Sequence, residues 1–331
     1  MTARPTIYDV ARAAGVSPST VSRALSRPGR VSAHTADLIR RVAAELGYAR
    51  SRETAPSAPP SVVALVMSDI TNPHSSEIVR GAEEEAAAAG YTMLLCDTRE
   101  SADREAAVLR RVLPVVDGVL LASSRLTDDE VGAVGRRRPT IVLNRALPDV
   151  PSIVLDNERG ARLVVEHLHG LGHRRIGYVS GPATSPAEAE RRAGIELTCR
   201  ELGVELVRFA STVPTIEGGA ELAGAVADSS ASAVVAYNDL LTVGVLHALG
   251  RRGVSVPGDV AVAGFDNVEL ARLVSPQLTS VGAPLSTMGA SAMRNLLQRV
   301  AAPGRTATRS VRLPVRLIVR ESTAGAQDRS R

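Results

Sequence analysis

From Val62 to Phe265 the chain alternates short apolar runs with longer stretches of helical period, and few folds accept that pattern. The runs SVVALVM, TMLLCD, GVLLAS, TIVLN, SIVLDN, RIGYVSG, AVVAYN and VAVAGF read as strands. Between them, residues 75–90, 104–113, 131–137, 159–171, 187–202, 217–228 and 239–251 read as helices. A strand buried on both faces shows as a continuous apolar run, and strand–helix–strand repeats set such strands parallel. About 270 residues of this kind exceed one comfortable core, so two α/β subdomains are expected. Aromatic residues are only 2 % of the chain, with no Trp, so Ala, Val, Leu and Ile must build those cores.

The first 47 residues follow a different rule. Thr6 with Asp9 reads as a shortened capping box, and Ile7, Val10, Ala11 and Ala14 form one helical face ended by Gly15. Ser17 caps a second helix with Pro18 at its first position, and Val21, Ala24 and Leu25 face inward. Ser32 caps a third, with Leu38, Ile39, Val42, Ala43 and Leu46 as its buried stripe. Residues 1–49 are therefore read as a small all-α head, 50–60 as a proline-bearing linker, and 61–331 as the core. Charge divides the same way. Residues 1–52 hold nine Arg and three acids, a net +6, whereas the remainder is at −2. A basic head on a near-neutral body suits a polyanion-binding module, although a solvated basic face is the plainer reading.

The first two helices carry AxxAGVSxxTVSRAL, a helix-turn-helix pattern. Such a unit lays its second helix in the major groove of double-stranded DNA, which would turn Pro18, Ser19 and Arg23 toward base edges. Arg23 is the foremost reader, because a guanidinium can bond guanine O6 and N7 together. Tyr8, Ser17, Thr20, Ser22, Ser32, Thr35 and Tyr48 are assigned to phosphate oxygens. Each Ser or Thr can equally be a plain helix cap.

Other classes lose ground on the residues. Cys96 and Cys199 are too few for a disulfide framework or a metal site. His167 and His169 stand at i and i+2, which do not share a helix face, so HLHGLGH is not read as a metal site. GxGxxG, Walker A, GxSxG and HExxH are all absent, which counts against an enzyme, and no cofactor is expected. The opening MTARPTIYDVARAAG lacks an apolar export region, and no run approaches a membrane span. A cytoplasmic protein is expected rather than an exported solute-binding component.

The segment TIYDVARAAGVSPSTVSRALSRPGRVSAHTADLIRRVAAELGY resembles the head of the lactose-repressor (LacI/GalR) family almost throughout. SDITNPHSSEIVRGAEEEAAAAGYTMLLCDT, LDNERGA, LGHRRIGYVSGP, YNDLLTVGVLHAL, VAVAGFDNVELARLVSPQLTSV and LIVRESTA resemble that family's core blocks in its order. The resemblance covers residues 5–323. It implies a homodimeric transcription regulator, a repressor by default, on a pseudo-palindromic operator. It also implies a periplasmic-binding-protein-like core of two parallel-sheet subdomains joined by crossing strands. The N-subdomain would take about 61–157 plus 284–314, the C-subdomain about 158–283 plus 315–323. A small polar effector, a sugar or sugar derivative, would lie between them. By the same resemblance Arg191, Asn238 and Asp266 contact effector, with Asp69, His74, Asn144 and Arg145 placed along the same cleft. Asp266 also reads as a turn or cap, and His74 as a surface residue. The family's Asn-Pro-Phe-Phe is here Asn72-Pro73-His74-Ser75, and Val235 and Leu285 lie where some relatives carry Phe, so stacking on a ring is disfavoured. The family's hinge stretch is replaced by ARSRETAPSAP, with Arg50 at its Pro position and Ser57 at its Leu position. The usual hinge helix and minor-groove wedge are therefore not expected. Arg50 and Arg52 either reach DNA or belong to a plain tether.

Overall fold

The computed structural model describes residues 5–26, 31–46, 61–210, 213–302 and 310–323. Tyr48, the 50–60 linker with Arg50, Arg52 and Ser57, and the side chain of Leu25 lie outside them. The chain divides into two compact units, Met1–Pro59 and Pro60–Arg331.

The first unit is α1 (Ile7–Ala13), α2 (Pro18–Ser26) and α3 (Ala33–Glu45). Val10, Ala11, Ala14, Val21, Ala24, Ala36, Ile39 and Ala43 are its buried centre. The capping box forms as read: the Thr6 N–H donates to the Asp9 carboxylate at 2.8 Å. Gly15 follows the last turn of α1 at φ +64, a conformation that favours glycine. Leu46, read as buried, is 41 % exposed because α3 has already ended at Glu45 and the side chain lies past the packed stripe.

The second unit holds two six-stranded sheets. The first contains β1 (Val62–Met67), β2 (Thr92–Asp97), β3 (Gly118–Ala122), β4 (Thr140–Leu143), β5 (Ser152–Leu155) and β11 (Ser310–Leu313), ordered β11-β5-β4-β3-β1-β2. All its pairings are parallel. The second contains β6 (Arg175–Val179), β7 (Glu205–Phe209), β8 (Ala233–Ala236), β9 (Ala261–Asp266), β10 (Thr279–Gly282) and β12 (Arg316–Ile318), ordered β12-β10-β9-β8-β6-β7. Only β10–β12 is antiparallel.

Strand alternation decides which helices cover which face. Val63, Leu65 and Met67 point into a core with Ile78, Ala82, Met288 and Leu296 of α4 (Pro73–Ala88) and α12 (Leu285–Ala301). Ala64 and Val66 point the other way, against Leu109 of α5 (Ala102–Val112) and Val131 of α6 (Asp128–Arg137). In the second sheet, Ile176 and Tyr178 meet α7 (Asn157–Gly170) and α8 (Pro186–Leu202). Val234 and Val262 meet α9 (Ile216–Asp228) and α10 (Asp239–Arg251). Each fully buried aliphatic side chain contributes about 1.5–3 kcal/mol.

The chain passes between the sheets three times: between β5 and α7, between β10 and α12, and between β11 and β12. The two lobes are thus joined by three short crossings, and the strand carboxyl ends of each lobe line the cleft between them. Crevices outside strand carboxyl ends are where open α/β sheets hold ligands.

Candidate DNA-reading head and effector cleft

In the head, the buried face of α2 is set by Val21 and Ala24, which leaves Ser19 and Arg23 exposed at i and i+4. They are neighbours on one face: Arg23 Nη2 reaches Ser19 Oγ at 3.4 Å. Pro18 opens the helix and is half-buried. The Ser17 hydroxyl accepts from the Thr20 N–H at 3.2 Å and shares 2.8 Å hydrogen bonds with the hydroxyls of Ser19 and Thr20. Ser32 likewise caps α3, accepting from the Thr35 N–H at 3.2 Å and sharing a 2.7 Å bond with the Thr35 hydroxyl. Both serines therefore cap helices, and helix N-termini of this kind favour an anion. Tyr8 is 66 % exposed, an unusual setting for so large a side chain. Ser22, on α2, is partly buried.

In the cleft, Asp69, Asn72, His74, Ser123, Arg125 and Asn144 come from the first lobe. Asn157, Arg191, Tyr237 and Asp266 face them from the second. Four of the six non-glycine residues with positive φ among the described residues, Glu100, Ser123, Asn144 and Asp266, line this cleft. Backbone held in that region is concentrated at binding sites, where the surrounding structure over-determines it.

Arg191 is the centre of the arrangement. Its Nε donates to Asn157 Oδ1 at 2.9 Å, Nη1 to the Tyr237 carbonyl at 2.6 Å, and Nη2 to Asp266 Oδ1 at 3.0 Å. Its guanidinium lies 4.5 Å from the Phe265 ring centroid and 5.0 Å from that of Tyr237. Five donors are available on a guanidinium, so the fork keeps capacity for a ligand. Burial pushes the Asp266 carboxyl upward, but the charges of His74 and Arg191 outweigh it and hold the group well below the usual carboxylate range. Behind it, burial pushes Asp239 up to about 8, with the Asp266 charge adding to the effect. Asp239 is held by the Ser280 hydroxyl at 2.7 Å and the Val268 N–H at 3.0 Å.

Arg125 donates through Nε to Glu100 Oε2 at 2.6 Å and through Nη1 to the Ser123 carbonyl at 2.9 Å. Asp69 accepts from the Thr71 N–H at 2.8 Å and hydroxyl at 2.6 Å. Asn144 donates to the Ser123 hydroxyl at 3.0 Å. The charges in the cleft are thus mostly neutralised inside the protein, and what remains is a set of short polar groups suited to hydroxyls.

The structure brings Asp69, His74, Asn144, Arg191 and Asp266 to this one cleft. It does not bring Asn238 or Arg145 to the lining. Asn238 is committed to capping α10, accepting from the Leu241 N–H at 3.0 Å. Arg145 turns away to the Leu126 carbonyl at 2.5 Å and to Asp128. Sequence reasoning missed Arg125, Glu100, Asn157 and Tyr237. Tyr237 supplies the ring that the altered first wall lacks, and Gly181 makes room for it, since a Cβ there would lie 2.4 Å from the ring. Its position, immediately after the strand end at Ala236, was the available signal. His167 and His173 pair with the hydroxyls of Thr323 and Ser232 at 2.8 and 2.9 Å.

Residues 6–51 match the family described as bacterial regulatory proteins, lacI family, and residues 165–323 match the periplasmic binding protein-like domain. The chain is 33 % identical to the HTH-type transcriptional regulator DegA of Bacillus subtilis (strain 168), across 97 % of this chain and 98 % of that one. The Lac repressor dimer bound to operator and the anti-inducer ONPF superposes with a TM-score of 0.77 at 26 % identity, covering 97 % of this chain and 99 % of that chain. The transcriptional regulator CelR–cellobiose complex does so at 0.71 and 30 % identity, covering 96 % of this chain and 100 % of that chain. No helix among the described residues is long and apolar enough to cross a membrane.

Proposed function

The chain belongs to the lacI family of bacterial regulatory proteins, DNA-binding transcription regulators, and from that premise we propose that it is a homodimeric repressor whose hold on a pseudo-palindromic operator is set by a small neutral polyol, a sugar or sugar derivative, in the cleft. The observation that carries the effector reading is the Arg191–Asp266 pair with Asn157 and Tyr237, fully built and buried at the strand ends. Ionised carboxylate and guanidinium held in fixed geometry accept from and donate to adjacent hydroxyls. Cellobiose in the complex of a relative supports the same ligand class. Pro18, Ser19 and Arg23 face base edges, and Tyr8, Ser17, Thr20, Ser22, Ser32, Thr35 and Tyr48 hold phosphates. The core acts on the heads through the relative poise of its two lobes, which requires the effector to bind one poise better than the other.

Selection of the full-length protein on a randomised DNA pool at fixed salt tests the reading. A palindromic site is expected to be enriched by the parent and lost by Arg23→Ala. Equal enrichment by both would remove Arg23 from base reading. Salt-sensitive binding with no enriched site would overturn operator recognition itself.

A further inference from the structure

The cleft is narrow. Its free volume is about 50 Å³, far below the roughly 300–1,000 Å³ of sites that enclose small molecules. What closes it is visible across the lobe boundary. His74 lies on the first turn of α4, in the first lobe, and Asp266 ends β9, in the second. Their side chains are 13 % and 6 % exposed, and His74 Nδ1 lies 3.4 Å from Asp266 Oδ1. That Nδ1 is buried and has no other partner among the described residues. Asp266 Oδ1 is the same atom that Arg191 holds at 3.0 Å, but Arg191 belongs to the second lobe, so His74 is the member that reaches across.

We propose that His74 and Asp266 form a proton-dependent latch between the lobes that competes with the effector for the cleft. Asp266 stays ionised throughout the physiological range, so the contact is an ion pair when the imidazole carries its proton and a weaker dipolar contact when it does not. Histidine is the side chain whose charge most readily changes between about pH 5 and 8. Asp239, behind Asp266 and pushed up to about 8 by burial, gains its own proton in the same range, and His74→Gln separates its effect from that of the imidazole. The other charged groups facing His74 are held by partners. Arg191 is paired with Asp266, Arg125 with Glu100, and Asp69 is satisfied by Thr71. Tyr237, whose hydroxyl burial pushes upward, remains neutral. Glu77 and Arg80, on the same helix, face each other at 3.4 Å. On the proposed-function reading, the effector needs the Asp266 oxygens and more room than the closed cleft offers. It therefore binds with release of the latch proton. Its affinity falls on the acid side by up to about tenfold per pH unit.

The test reads lobe distance and needs neither effector nor DNA, so it fails or succeeds apart from the functional reading. Spin labels are placed on cysteines substituted for Ile70, next to Asp69, and Thr184, three residues before Ala187, both exposed and one in each lobe. The full chain also carries Cys96→Ser and Cys199→Ala, and is mixed with excess unlabelled protein so that only distances within one protomer are read. The distance distribution is expected to shorten and narrow as the pH is lowered from about 8 to about 5.5. His74→Gln, checked for folding by circular dichroism, is expected to abolish that response. Asp266→Asn is expected to do the same, and if it does not fold, His74→Gln decides alone. A parent without a pH response, or a His74→Gln chain with the same response, overturns the latch.

Discussion

At the scale of single residues, burial turns ordinary side chains into committed ones. Arg191 and Asp266 are 5 % and 6 % exposed, so each relies on protein partners. Arg191→Met leaves a buried carboxylate without its main partner, and a loss of about 3–5 kcal/mol is expected in urea unfolding. The double variant Arg191→Met with Asp266→Leu should recover much of it, because two matched apolar groups need no desolvation. An unchanged midpoint in the single variant would mean the pair contributes nothing. Asp239 gives a pH signature. Its folded value of about 8 lies above its ordinary 3.8, so between those values the folded state keeps a proton that the unfolded chain has released. Stability therefore falls as pH rises through that window. Asp239→Asn keeps an acceptor for the Val268 N–H and removes the titration. The slope of urea midpoint against pH should flatten in that variant, and an identical slope would assign the effect elsewhere.

At the scale of elements, each lobe has one helix pair in near backbone contact, made by reciprocal glycines. A Cβ on Gly81 of α4 would lie 2.0 Å from the Ser286 carbonyl oxygen, and one on Gly289 of α12 would lie 2.0 Å from that of Ile78. Gly219 and Gly244 do the same for α9 and α10, against the carbonyl oxygens of Leu241 and Ile216. Gly244→Ala must separate two backbones and should cost at least about 1–3 kcal/mol. Gly250→Ala, in the same helix with nothing within 4 Å, should instead gain up to about 1 kcal/mol. Chemical denaturation of the two variants checks the contrast, and equal effects would mean the close approach is not a constraint. Elements that sequence reading passed over fall into two kinds. The β7 edge strand, ELVRF, buries only Phe209 fully and so shows no apolar run. By contrast, α12 was legible, since Leu285, Met288, Gly289, Ala292, Met293 and Leu296 recur at helical spacing.

At the scale of the whole molecule, the sheets are distant in sequence where they are near in space. The β11 strand pairs with β5, and β12, a few residues later, pairs with β10. Three short crossings are the kind of connection about which two lobes can turn. If the lobes carry the signal, Asp266→Ala should leave the selected operator unchanged while making its occupancy insensitive to a panel of neutral sugars that alters occupancy by the parent. Fluorescence anisotropy on the selected site measures both. A variant that still responds like the parent would separate Asp266 from the signal.

The sequence alone determined what depends on neighbours along the chain. The periods of apolar residues dictated helices and strands, Thr6, Ser17 and Ser32 announced caps, and VSPSTVSRAL placed Ser19 and Arg23 on one exposed helix face. Tertiary structure decided which polar side chains converge. Asn238 and Asp266 both end strands, yet one is spent on a helix N-terminus and the other is held between His74 and Arg191. Tyr237 and Arg125 reach the cleft only because β8 and β3 lie inside their sheets with carboxyl ends facing the other lobe. Local energetics act over a turn or two of chain. The direction of a buried side chain is settled by contacts from residues a hundred positions away, and no pattern along the chain encodes that choice.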